Sequence, residues 1–133
     1  GPDCVFARGR YTACPAMRFH NGYYYIFYLE AVGTGDAVEY ETWLTRTRDF
    51  RDVELSPHNP VLKWDEADKQ LARPNLDTER IAASFNRNNS DFDLCAFAGK
   101  VIINYSWGDQ HGKEFLAEAE AAGPMGAFLE SWF

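Results

Sequence analysis

The chain has 133 residues, is 46% hydrophobic and 16% aromatic, and carries a formal charge of −7. That is enough apolar material for one domain with a packed core, and it argues against disorder. The negative charge disfavours nucleic acids and anionic membrane surfaces as partners, and no apolar run reaches the length that crosses a bilayer.

The chain opens with Gly1-Pro2 and no Met, which resembles a cleavage scar. No secretory leader is visible, and the expected location is the cytoplasm. Residues 4–7, "CVFA", read as a strand belonging to something earlier in the fold. A short hairpin follows: 16–19, then the turn "FHNGYY", then the aromatic run "GYYYIFY" from Gly22 to Tyr28. A Gly-rich polar loop leads to a third strand, "YETWLTRT", at 40–47. Val53, Leu55 and Val61-Leu62 can supply an outer fourth.

A polar insertion spans about 63–89. Its clearest element is a short helix in "NLDTERIAASFN", with Asp77 as cap and Leu76 stapled to Ile81. An offset of 77 residues then carries Gly22 onto Gly99, laying "GKVIINY" under "GYYYIFY". The second copy has its own third strand, "KEFLAEA". The end, "GPMGAFLESWF", reads as a helix: Pro124 suits a first turn, and Met125, Phe128, Leu129 and Trp132 form a stripe that packs on the core.

The expected fold is therefore all-β, with about two antiparallel β-propeller blades and two short helices in one domain over 1–133. Blade one covers about 9–62, the helical insertion about 63–89, blade two about 90–122 and the C-terminal helix about 124–133. Meanders repeated along a chain suit propeller blades, although an ordinary antiparallel sheet satisfies the same pattern. The three cysteines, Cys4, Cys14 and Cys95, have no regular spacing and read as free thiols of a reducing compartment. No metal site and no cofactor are expected.

The segments "CPAMRFHNGYYYIFYLE" and "ETWLTRTRDFRDVE" resemble a blade of the five-bladed β-propeller glycosidases around glycoside hydrolase families 43 and 32. In that group a Pro-containing strand and a Gly-x-Tyr-Tyr-Tyr strand precede a (Ser/Thr)-Arg-Ser-x-Asp-(Leu/Phe)-x-x-Trp-Glu run. Here that run is Thr45-Arg46-Thr47-Arg48-Asp49-Phe50-Arg51-Asp52-Val53-Glu54, with Val53 in place of Trp. "NNSDFDLCAFAGKVIINYSWGDQHGKEFLAEA" resembles the C-terminal blade of such proteins. The resemblance covers most of residues 9 to 133, about two blades of a five-bladed ring. The group often carries its general acid in a Glu-x-Pro arrangement, and this chain has Ala13 two residues before Pro15.

In a propeller, innermost strands begin near an axial funnel, so the polar head of the second copy is where a site is expected. Asp91 and Asp93 are the candidate catalytic carboxylates; Asp91 falls opposite Cys14 in the 77-residue offset. Asp93 is expected on the same strand face as Asp91. Asn88, Asn89, Trp107, Gln110, His111, Arg10 and Tyr11 are candidate substrate-binding residues: amides suit sugar hydroxyls, and an indole can stack on a pyranose. Each has a plainer role, Asp91 as a strand cap, Trp107 as core, Arg10 as a salt-bridge partner. Glycoside hydrolysis needs two carboxyl groups about 5–9.5 Å apart, and no second one is marked by a motif.

Two functions are expected from this reading. One is a glycosidase-like protein or fragment acting on glycosides in a propeller funnel. The other is a non-catalytic sugar-binding or structural module. Two blades cannot close a ring, so a homo-oligomer, most simply a dimer, is expected beside the carbohydrate ligand.

Overall fold

The computed structural model describes residues 12–69 and 77–133. The expected strand at 4–7, the residues Arg10 and Tyr11, and the Leu76 staple lie outside them.

The described chain is all-β with two short helices. β1 (Thr12–His20) and β2 (Tyr23–Val32) form an antiparallel hairpin. Its turn holds Asn21 and Gly22 at φ 48° and 80°, the left-handed pair that matches the natural twist of two paired strands. β3 (Glu39–Thr47) pairs with β2, and the short β4 (Val53–Leu55) closes that side. Val53 and Leu55 thus supply the fourth strand, while Leu62 makes only an isolated bridge to Thr42. β5 (Asn88–Phe97), β6 (Lys100–Gly108) and β7 (Glu114–Ala122) repeat the antiparallel meander. Their first turn reuses the same backbone, with Ala98 at φ 50° and Gly99 at 78°. The helix α1 (Thr78–Ala82) is capped by Asp77, whose side chain accepts from the Arg80 amide at 2.9 Å. The last helix, α2, is Met125–Glu130.

The two meanders belong to one open, mixed sheet in the order β1-β2-β3-β5-β6-β7, with β4 on the free side of β3. It is not a closed propeller. The seam between β3 and β5 is a single parallel pairing, Tyr40 with Asn88. So short a seam lets the sheet fold on itself, and the meanders meet face to face. Tyr25, Phe27 and Leu44 of the first bury against Phe92, Leu94, Val101, Ile103, Tyr105 and Trp107 of the second. Phe27 stacks on Phe92 with ring centroids 4.4 Å apart. Leu129 of α2 is fully buried in the same core, and Met125, Phe128 and Trp132 pack around it, as the helical stripe requires.

α2 also locks onto the first hairpin turn. Glu130 Oε1 lies 3.2 Å from His20 Nε2 and accepts a bond from the Asn21 amide at 3.2 Å. Gly126 lies so close to the His20 ring that a Cβ would collide with it. Among the described residues, no helix is long and apolar enough to cross a membrane.

Trp107 is 3% exposed and packs edge-on against Phe115 at 5.6 Å. Truncating a buried indole leaves a cavity as well as losing contact. Trp107→Ala is expected to lower unfolding free energy by about 3–5 kcal/mol. Urea denaturation followed by circular dichroism checks this; a loss under about 1 kcal/mol would place the indole outside the core.

Candidate functional site

The polar head of β5 divides into three parts with different surroundings. Asn88 and Asn89 are buried. They form a knot with Asn86, which is fully buried. Asn86 Oδ1 accepts from the backbone amides of Asn88 at 3.1 Å and Gly108 at 3.2 Å, and its Nδ2 donates to Asn89 Oδ1 at 2.9 Å. Thr42 of β3 donates its hydroxyl to the Asn89 carbonyl at 2.8 Å, so the knot spans both meanders. Asn88 Nδ2 reaches Glu114 Oε2 at 3.3 Å. These amides satisfy backbone groups where two strands part company, a place where unpaired groups would be costly.

Asp91 sits in a bulge. β5 shifts register between Ser90 and Asp93, and Asp91 sits there at φ 52°. β1 carries the matching irregularity between Ala13 and Ala16, with Cys14 at φ 51°. The 77-residue offset therefore joins two residues with the same unusual backbone. A bulge re-aims a side chain that a regular strand would send to one face or the other. Here it brings Cys14 and Asp91 into contact across the two first strands, the thiol donating to the carboxylate. Ser106 donates its hydroxyl to Asp91 Oδ2 at 2.7 Å, and Ser90 does so more weakly at 3.4 Å.

Asp93 does not share this site. It accepts from Arg18 of β1 at 2.6 Å and from the amide of Leu94 at 2.8 Å, on the exposed outer side of the sheet. Arg18 also bonds the Leu94 carbonyl, which clamps β1 beside β5. Ser106, which bonds Asp91, and Asn104, which pairs with Asp93, alternate onto the same face of β6, so the two carboxylates lie toward one side of the sheet but are held by different partners.

Gln110 and His111 lie in the exposed loop from β6 to β7. The Gln110 amide donates to Glu114 Oε1 at 2.8 Å and the His111 amide to Asp109 Oδ1 at 2.7 Å, so the loop is folded by its own carboxylates. With the indole of Trp107 in the core, the loop has no exposed ring beside these two residues. A cleft of about 320 Å³ lies at the opposite end of the first meander, lined by Tyr23, Arg46, Arg48, Asp52 and Glu54 among others. It contains none of the predicted site residues. Its Arg46 is already held by Glu54 at 2.6 Å and by the rings of Tyr23 and Phe133. Among the described residues, no group of three or more His, Cys, Asp or Glu side chains is arranged to hold a metal ion.

The Asp91 site has a definite protonation state. Hydrogen bonds from Cys14 and then Ser106 hold its carboxyl below the usual range, against partial desolvation. A folded-state value below the unfolded one stabilises the fold above about pH 4. That contribution is lost as pH falls through the folded value. Cys14 is pushed the other way, to about 11, first by desolvation around the sulfur and then by its bond to Asp91 and that anion's charge. At neutral pH the pair is a thiol beside a carboxylate, which gives an acceptor-rich site with no proton to donate from Asp91.

Comparison with known proteins finds no matching family model, no matching curated protein and no matching solved structure.

The pairing of Cys14 with Asp91 is testable by alkylation. With Cys4 and Cys95 replaced by Ser, the iodoacetamide rate is expected to rise with a midpoint near about 11. Asp91→Asn is expected to move that midpoint down part of the way, since desolvation remains. A wild-type midpoint near the ordinary thiol value, about 8.5, would contradict the contact.

Proposed function

We propose that the chain is a carbohydrate-binding protein built from two propeller-like blades, related in design to the five-bladed glycosidases but without turnover of its own. The observation that carries this reading is the carboxylate of Asp91 and the donors around it. Asp91 stands between the first strands of the two meanders, ionised and oriented by hydroxyl and thiol donors. Its nearest sequence candidate for a partner, Asp93, is engaged by Arg18 on the outer side. An ionised carboxylate with polar neighbours accepts hydrogen bonds from sugar hydroxyls, whereas glycosidic cleavage also needs a protonated group. Ala13 at the position of the Glu-x-Pro acid supports binding over catalysis. The exposed thiols Cys14 and Cys95 suit the reducing conditions of the cytoplasm.

A second reading is a glycosidase whose second carboxyl group comes from another chain. One experiment separates the two. The purified protein is titrated with a panel of plant and algal oligosaccharides by calorimetry and assayed against aryl glycosides. The proposal expects binding without hydrolysis. Asp91→Asn is expected to weaken binding by about 10- to 100-fold, the loss of one charge-assisted hydrogen bond, and Asp93→Asn to leave it unchanged. Hydrolysis abolished by Asp91→Asn would establish the second reading. No binding to any sugar would overturn both.

A further inference from the structure

We propose that the outer edge of β7 is a docking site for an extended polypeptide segment that alternates apolar residues with Lys or Arg, and that adds to the sheet as the fourth strand of the second meander. The inference stands whether or not the chain binds sugar.

The two meanders share a register but not a strand count. The offset that matches Tyr28 with Tyr105 also matches their partners on the third strands, Trp43 of β3 and Ala117 of β7. Followed along the strands, it sets Thr45, Arg46 and Thr47 of β3 against Ala119, Glu120 and Ala121 of β7. In the first meander those three residues hold β4, pairing with Leu55, Glu54 and Val53. In the second, no strand pairs with the matching edge among the described residues. Every residue of β7 is exposed or half-buried, so the edge is open to an incoming chain. Alternate N–H and C=O groups along such an edge point away from the sheet and are free to form a ladder.

The first meander shows what the seam takes. Arg46 Nε meets Glu54 Oε2 across it at 2.6 Å, and Thr45 and Thr47 donate their hydroxyls to the carbonyls of Glu54 and Asp52 at 2.7 and 2.8 Å. The second meander carries the opposite charge in the matched place, with Glu120 where the first has Arg46. The residue that falls opposite Glu120 is therefore a cation, as the one opposite Arg46 is an anion. Glu120 is met only from within its own meander, by Lys100 at 2.5 Å. Glu118, two residues back on the same face, is exposed and has no ion-pair partner among the described residues. The two threonine hydroxyls are replaced by methyls. Ala119 and Ala121, with Ala117, are half-buried against the core cluster that holds Val101, Ile103 and Tyr105. Side chains of an incoming strand that fall beside these alanines extend that core, so they are apolar.

The same charges exclude this chain as its own partner. Two β7 edges brought together would set the Glu118 and Glu120 carboxylates of both copies on one face, and the β4 of another copy would set Glu54 against Glu120. A segment with the apolar, charged, apolar pattern of β4 and the charge reversed fits instead. Main-chain bonds, contacts with small side chains and exposed ion pairs hold it, so the affinity is low.

Titration of the isotope-labelled protein by NMR with the peptide Thr-Val-Lys-Val-Lys-Val-Thr, up to about 1 mM to reach low affinity, tests this. Saturable shifts are expected at the amides of β7. The same peptide with Glu in place of both lysines is expected not to bind. Glu118→Lys is expected to weaken the Lys peptide at least about fivefold while keeping the wild-type circular dichroism spectrum, since an attraction becomes a repulsion. Asp52→Lys, an equal change of charge on the turn between β3 and β4, is expected to bind as wild type does. No saturable shift, equal binding of the Glu peptide, shifts centred outside β7, or an equal loss in Asp52→Lys would each overturn the proposal.

Discussion

Everything in this fold depends on the contact of Phe27 with Phe92. The backbone joins the two meanders at one strand pairing, too little to fix their relative orientation. Side-chain packing between their inner faces does that work. At roughly 25 cal/mol per Å² of apolar surface, a few buried aromatic rings outweigh what one backbone pairing adds. The packing sets β1 beside β5, and Arg18 clamps the pair through Asp93 and the Leu94 carbonyl. Only in that arrangement do the two bulges face each other and bring Cys14 to Asp91.

The buried amide knot has a complementary role. Where β3 and β5 diverge, backbone groups on both sides lose ladder partners. Asn86 and Thr42 replace several of those bonds. The Asn-rich approach to β5 is thus a structural answer to a topological problem, and Asp91 lies beyond it in the bulge of β5. Asn59 solves a similar problem at the end of the first meander, where its side chain bonds both the amide and the carbonyl of Leu44.

Much of the architecture was legible in the sequence, for local reasons. The Asn21-Gly22 and Ala98-Gly99 turns, the β-branched and aromatic runs after them and the Asp77 cap each encode their element directly. The stripe of Met125, Phe128 and Leu129 likewise announces a helix packed on a core. The sheet's open form was not legible, because it follows from how two meanders pack rather than from any one segment. The site was only partly legible. The offset that aligns Cys14 with Asp91 located a special position, but a bulge has no clear sequence signature, so Asp91 and Asp93 looked alike. Asn86 was missed because a buried asparagine just before a strand reads as an ordinary turn residue; its one signal was the density of asparagines around it. Trp107 fits the alternation of β6, with Val101, Ile103 and Tyr105 on the same face, and that periodicity favoured core over binding loop.

The central claim is that two weakly connected meanders behave as one unit because their faces are packed. Native-state hydrogen exchange of the backbone amides tests it most directly. The account predicts that the slowest amides of β2 and of β6 share one opening free energy, equal to that of global unfolding, and that Phe92→Ala lowers both together. Separate opening energies for the two strands, with Phe92→Ala affecting β6 alone, would contradict it.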